Sequence, residues 1–304
     1  MPPIAQIDDA GFDWTAGDGP AAAVRLVDRA CRDADGAAQL NEQAVLELKH
    51  RGLREARLWL AEGGEGFALR HGDLVDLAVH PDARGRGVGT ALASAALAGL
   101  GHVEAWSHAD HPAAARLAER FAVPRARELR IMELPAEVAL PEVATPAGVR
   151  VRTVLPGDEE AILAVNAAAF AHHPEQGQLT LADLRDRMAE DWFDPAGLFL
   201  AVPEDDPGLE HGGALLGFHW TKEHHEEDPP FGEVYVVAAS PKAAGRGIGS
   251  LLTNVGLRHL RERGLGRVIL YVEADNAPAI AVYERQGFRL LRAEVQYRGS
   301  LARS

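Results

Sequence analysis

The chain has 304 residues, 47% of them hydrophobic and 25% charged, with a formal net charge of −14. That composition excludes a disordered polyelectrolyte and argues against a phosphate-backbone partner. No apolar run approaches the roughly 20 residues that span a bilayer, no secretory signal is expected, and with Cys31 as the one cysteine an intrachain disulfide is excluded. A cytoplasmic monomer with a small-molecule partner, and neither nucleic acid nor a membrane, is expected; the acidic balance mildly favours a cationic substrate and equally suits solubility alone.

In the first half, helical apolar spacing predicts helices over Ala21 to Ala34 and Glu42 to His50, with Asn41 capping the second. Strands are predicted at Ala56 to Ala61, Gly66 to Arg70 and Leu74 to Val79, punctuated by Gly63-Gly64 and Gly72. A glycine-rich loop follows, then a helix from Gly89, a strand near Val103 to Ser107, a short helix, and a last strand at Glu128 to Leu134. Pro135, Pro141 and Pro146, ending near Gly148, resist both helix and central strand and predict a linker. The second half repeats the order. Its strands are expected at Val149 to Val154, Leu198 to Val202, Ala214 to Thr221, Glu233 to Ala239, Arg267 to Glu273 and Leu290 to Tyr297. Its helices are expected at Asp158 to Phe170, Leu181 to Asp191, Ile248 to Arg263 and Ala277 to Gln286.

The repetition has a fixed offset of 160 (247 − 87), mapping Gly87-Val88-Gly89 onto Gly247-Ile248-Gly249. The same offset maps Pro81 onto Pro241, Gly85 onto Gly245, Arg86 onto Arg246, Leu92 onto Leu252 and Asp73 onto Glu233. Half the chain is about 152 residues, so a whole domain is duplicated. Two helices, a three-strand meander, then alternating helix and strand predict an α/β (α+β) fold in two tandem domains, 1–140 and 148–304.

The strongest chemical signal is the strand–loop–helix in each repeat. A helix N-terminus exposes unpaired N–H groups and positive dipole, and glycines let a pyrophosphate approach the backbone. Gly85-x-Gly87-x-Gly89 lacks the dinucleotide Gly-x-Gly-x-x-Gly spacing, and no Gly-Lys-Ser/Thr makes it a Walker loop. Downstream of the second loop, Asn276 caps a predicted helix, and Tyr283 lies seven residues on, about two turns, facing the same way. Aligning Pro112 with Pro278 puts Leu117 opposite Tyr283. Glu233 opens the strand entering the second loop, and alternation points Glu233, Tyr235 and Val237 to one face. An amine nucleophile must lose a proton, and Glu233 is placed to take it directly or through water. Its first-half counterpart, Asp73, is also acidic, so the acid alone does not separate the halves.

Arg84-x-x-Gly87-x-Gly89 resembles motif A of the GNAT acetyltransferases, whose Arg/Gln-x-x-Gly-x-Gly/Ala loop holds the pyrophosphate of coenzyme A. The second copy carries Ala244 at the Arg/Gln position, with Arg246 nearby to supply charge. The segment "YVEADNAPAIAVYERQGF" resembles motif B, whose tyrosine protonates the departing thiolate. "NAAAFAHHPEQG" from Asn166, "WFDPAGL" from Trp192, "LLGFHWTKEH" from Leu215 and "GEVYVV" from Gly232 narrow the resemblance to the mycothiol synthases, tandem-domain GNAT enzymes. "NEQAVLEL" and "LAVHPDARGRGVGTAL" match them more loosely.

The resemblance implies acetylation, by acetyl-CoA, of the cysteinyl amine of a cysteine–glucosamine–inositol conjugate. It implies Glu233 as general base and Tyr283 as general acid, and substrate contacts at Glu42, Glu175, Lys222, Glu233 and Tyr271. Acetyl-CoA contacts are implied at Val237, Ala238 and Ala239, at Ala244, Gly245, Arg246, Gly247, Ile248, Gly249 and Ser250, and at Asn276, Ala277, Pro278, Ala279, Ile280 and Ala281. A second acetyl-CoA site is implied at Leu77, Ala78, Val79, Gly85, Arg86, Gly87, Val88, Gly89 and Thr90, in a half that lacks the tyrosine. His224, His225, Glu226, Glu227 and Asp228 lack the spacing of a closed metal site, so a solvated loop and no metal are expected. Cys31 is read as a packed apolar residue. A tandem GNAT enzyme acting on an aminoglycoside or a peptide N-terminus, and a non-catalytic acetyl-CoA-binding module, are the competing readings.

Overall fold

The computed structural model describes residues 2–171, 176–205, 215–225 and 227–301. Glu175 and Glu226 lie outside the described residues. The chain forms two compact units that interleave in sequence. The first comprises Met1–Arg130, Glu273–Asp275 and Arg292–Ser304, and the second Ile131–Val272 and Asn276–Leu291.

The elements run β1 (Ile4–Ile7), α1 (Gly19–Asp35), α2 (Glu42–Arg51), β2 (Ala56–Ala61), β3 (Gly66–His71), β4 (Leu74–Val79), α3 (Val88–Leu97), β5 (His102–Ser107), α4 (Pro112–Arg120) and β6 (Arg125–Leu134). They continue with β7 (Val149–Thr153), α5 (Glu159–Ala169), α6 (Leu181–Met188), β8 (Leu198–Pro203), β9 (Gly217–His224), β10 (Phe231–Ala239), α7 (Ile248–Glu262), β11 (Val268–Glu273), α8 (Ala277–Arg285) and β12 (Arg289–Ser300). This is the expected mixed α/β order in both halves. The short β1, against β2, is an addition to it.

In the first unit the strands lie in the order β1-β2-β3-β4-β5-β12. Neighbours are antiparallel except β4 and β5. Strand alternation assigns the two faces: Phe67 and Leu69 pack with Val24, Val27 and Leu48 of α1 and α2, while Ala68 packs with Val88, Leu92 and Ala96 of α3. The chain's last strand completes this sheet. Val295 through Ser300 pair with Ser107 through His102, and Val295 and Tyr297 are buried in its core.

In the second unit the order is β6-β11-β10-β9-β8-β7, with β10 and β11 parallel. Leu198, Leu200 and Val202 face Ile162, Val165 and Leu184 of α5 and α6, and Ala201 faces Ile248, Leu251 and Leu252 of α7. The proline-rich segment after β6 is pinned to α7. Asn254 donates to the Pro141 carbonyl at 2.8 Å, and Arg261 donates to the Pro135 carbonyl at 2.8 Å.

Candidate active site

Both glycine loops fold alike. Gly245 and Gly247 take φ of 77° and 76°, Gly85 and Gly87 take 77° and 83°, and each second glycine is the cap of the following helix. A side chain is strained in that left-handed region, which explains the glycines. Neither helix start has a side-chain cap. The first helical N–H to reach a carbonyl in α7 is that of Leu251, to Gly247 at 3.0 Å, and in α3 that of Ala91, to Gly87 at 3.0 Å. The N–H groups of Ile248, Gly249 and Ser250, and of Val88, Gly89 and Thr90, are therefore the helix-start donors that an anion can accept from. A Cβ at Gly245, Gly247 or Gly249 would meet nothing within 4 Å, so the approach is open. These features fit the pyrophosphate of an acyl-CoA.

Arg84 shows why its replacement by Ala244 is tolerable. Its guanidinium is bound to both carboxylate oxygens of Asp35, at 2.8 and 2.6 Å, and donates to the Val79 carbonyl at 3.2 Å and to Cys31 Sγ at 3.4 Å. The arginine braces the loop against α1 rather than pointing at an incoming phosphate. Arg246 is exposed, and Arg86 pairs with Glu65 at 3.3 Å.

A cavity of about 530 Å³ opens in the first unit beside its glycine loop. Leu77, Ala78, Val79, Gly85, Gly87, Val88, Gly89 and Thr90 line it, with Leu117 on its wall, and Arg86 does not. A Cβ at Gly89 would lie 3.6 Å from Leu117 Cδ1, so the leucine is packed against the loop.

In the second unit β10 and β11 pair from Gly232↔Val268 to Val234↔Leu270. Just beyond, a bulge at Tyr235 shifts the β9 register, so that Val234 opposes Thr221 and Val236 opposes Trp220. A bulge bends and twists its strand. It also corrects the expected alternation. Tyr235 packs toward α5 and α6, on the side of Lys222, the cross-strand partner of Glu233, but Val237 is turned to the α7 side against Ile248 and Leu252.

Glu233, near the start of its strand, is 8% exposed. Asp73, its counterpart, precedes β4 and is exposed, so burial separates the two acids where residue type did not. His224 Nε2 lies 2.7 Å from Glu233 Oε2, and the His224 ring stacks on Phe231 at 4.4 Å. His224 closes β9 instead of belonging to a solvated loop, whereas the side chain of His225, paired with Glu223 at 2.6 Å, is largely exposed, as is Asp228. Lys222 is directly opposite Glu233 across the β9–β10 ladder. Its ammonium sits 4.2 Å over Trp192 and 5.4 Å from the Tyr235 ring. Trp192, Trp220 and Tyr235 pack edge-on or tilted at 5.1 to 5.7 Å, and Arg187 donates to the Tyr235 hydroxyl at 2.9 Å. The sequence singled out Glu233 and Lys222 but missed His224, Arg187 and the aromatic platform. Cross-strand pairing about the β9–β10 turn was the available signal.

Asn276 caps α8 as expected, its Oδ1 accepting from the Ala279 N–H at 3.2 Å. Tyr283 is buried beside Ile280 and Phe288, and burial pushes its hydroxyl pKa up to about 12. Tyr271 on β11 is 42% exposed. Glu42 begins α2 in the first unit, apart in sequence and unit from the others. Among the described residues, Asp194, Glu223 and His259 bring ligand-type atoms within 4.8 Å of one another. Arg263, 2.8 Å from Glu223, already supplies positive charge there. No described helix is long and apolar enough to cross a membrane.

The acetyltransferase (GNAT) family model matches residues 27–122 and again residues 166–288. A mycothiol acetyltransferase of Nocardioides sp. is 52% identical over 279 residues, 88% of this chain and 92% of that one. Those of Thermobispora bispora and Nocardia farcinica are both 48% identical, covering 91% and 95% of this chain and 95% and 98% of their own. Among solved structures, a GCN5-related N-acetyltransferase from Sphaerobacter thermophilus has a TM-score of 0.69 at 24% identity, over 99% of this chain and 96% of that one. A tandem GNAT protein from the clavulanic acid biosynthesis pathway has a TM-score of 0.69 at 20% identity, over 99% and 100%. These structural likenesses show the fold.

Proposed function

We propose, for a chain that belongs to the GNAT acetyltransferase family and within it to the mycothiol acetyltransferases, that its second unit acetylates the cysteinyl amine of the cysteine–glucosamine–inositol conjugate, giving mycothiol. The enzyme is an acyl-CoA-dependent N-acetyltransferase; its acceptor, base and acid are the proposal. The observation that carries it is Glu233, a buried carboxylate held within the short β10–β11 pairing, on the strand that leads into the open glycine-loop helix start.

In this reading the uncapped N–H groups of α7 hold the coenzyme A pyrophosphate, with Val237 to Ala239 and the Asn276 to Ala281 segment along the pantetheine arm. Glu233 takes a proton from the cysteinyl ammonium, directly or through water. The freed amine attacks the thioester carbonyl, the C–S bond breaks, and the Tyr283 hydroxyl gives its proton to the sulfur. The tyrosine is reprotonated at the expense of the nitrogen's second proton. The α-amine, with a pKa of roughly 7.7–8.0, needs only modest help. Lys222, Tyr271, Glu42 and Glu175 are assigned to the acceptor's hydroxyls and ammonium. The division of labour follows the halves 1–140 and 148–304: the first unit's cavity takes acetyl-CoA without turnover, because Leu117 donates no proton.

The test is Glu233→Gln assayed on the cysteinyl conjugate. A fall in kcat of about 10²–10⁴-fold, with acetyl-CoA affinity held, is expected of a lost general base. Unchanged turnover would remove Glu233 from that role.

A further inference from the structure

We infer that His224 is a positioning residue for this reaction, holding the Glu233 carboxylate in the orientation that meets the acceptor amine. The inference rests on Glu233 being the base. A general base acts without its proton and then has no hydrogen to give, so His224 Nε2–H is the donor across the 2.7 Å contact. The donor is itself held. Its ring lies nearly parallel to Phe231, at 19° and 4.4 Å, and Phe231 carries the Arg267 guanidinium 5.0 Å from its centre. Both partners are withdrawn from solvent, with side chains 15% and 10% exposed, so the bond is formed away from competing water.

The register makes the choice of partner informative. Lys222 is the residue directly opposite Glu233, and opposite charges in that relation ordinarily pair. Here the lysine ammonium is over Trp192, and the carboxylate is bonded to His224 one diagonal away. A lysine bound to Glu233 would hold a permanent cation against the place where the acceptor's own ammonium must dock. A histidine N–H orients the same carboxylate while leaving its second oxygen for the substrate.

The experiment compares His224→Ala, His224→Gln, Glu233→Gln and the double variant Glu233→Gln/His224→Ala in the full-length enzyme, with acetyl-CoA and the cysteinyl conjugate. His224→Ala is expected to lower kcat by about 10- to 100-fold, the value of a hydrogen bond to a charged group, with the acetyl-CoA KM within twofold. His224→Gln puts an amide N–H in the same place and is expected to recover most of that loss. In the Glu233→Gln background, His224→Ala should cost nothing further, because the carboxylate it orients is gone. Should the alanine variant not fold, the glutamine variant and the wild type still decide the matter. A glutamine enzyme as impaired as a Glu233→Gln enzyme overturns positioning by hydrogen bond. So does full activity of His224→Ala, or an equal additional loss in the double variant. A fully active Glu233→Gln enzyme overturns the base assignment itself, which is a different failure.

Discussion

Replacing Tyr283 by Phe removes one hydroxyl and keeps the ring, its T-shaped contact with Phe288 at 5.8 Å and its place in the core beside Ile280. No hydrogen bond joins the hydroxyl to another described residue, so folding stability at neutral pH should change by less than about 1 kcal/mol. The catalytic effect should be much larger. With its pKa near 12 the donor is loaded at every working pH. Against a free thiol of pKa about 8.5, the gap of about 3.5 pH units makes proton transfer uphill by about 5 kcal/mol. In the proposed reaction, transfer becomes workable if the thiolate departs into apolar surroundings, which disfavour its bare charge. Losing the donor should lower the single-turnover rate by about 10²–10⁴-fold. The assay is rapid acid quench with the acetylated product quantified by mass, which bypasses product release. A second signature follows from the raised pKa. The unfolded chain releases this proton near pH 10 and the folded chain near pH 12, so stability present below pH 10 is lost as pH rises to 12, by about 3 kcal/mol. The Phe variant should lack that component. Near-normal single-turnover rates in the variant would refute Tyr283 as the acid.

Three other outcomes are expected. His219 is wholly buried, and burial lowers its pKa to about 4, so stability held above pH 6.5 should drain away as pH falls to 4, by about 3 kcal/mol in urea titrations; His219→Asn should flatten that slope. Gly256→Ala would drive a Cβ into the His219 ring, itself fixed 2.7 Å from the Leu252 carbonyl, and should cost about 1–3 kcal/mol by the same titration. Calorimetry with acetyl-CoA should show two binding events, with Gly87→Val removing one and Gly247→Val the other, because each puts a β-branched residue at a left-handed φ facing the anion. A single event abolished by Gly247→Val alone would remove the first-unit site.

The glycine loops and the Asn276 cap were legible because turn residues and caps are written in adjacent positions, and the repeat because its matches keep one fixed offset along the chain. Five features were not. The bulge at Tyr235 leaves no mark on the alternation of residues 233–237, yet it turns Val237 to the other face. The β1 strand has four residues, too few for a period. Leu290 to Tyr297 read as a strand, but nothing local says that the strand pairs with β5. His224 looked like one of a run of acids and histidines, and only the hairpin register distinguishes it from His225. The Arg84–Asp35 pair spans 49 residues and required the α1–loop packing to be known.

The measurement that bears most directly on the proposed function is a competition among acceptors. The full-length enzyme, with acetyl-CoA, is offered the cysteine–glucosamine–inositol conjugate, an aminoglycoside and a peptide with a free N-terminus, and kcat/KM is taken for each. The cysteinyl conjugate should exceed the others by at least about 100-fold, as a site built to bond an acceptor's polar groups rejects one that leaves them unpaired. That advantage should shrink on Lys222→Ala, while the acetyl-CoA KM holds. An aminoglycoside or peptide acetylated as well as the conjugate would contradict the account.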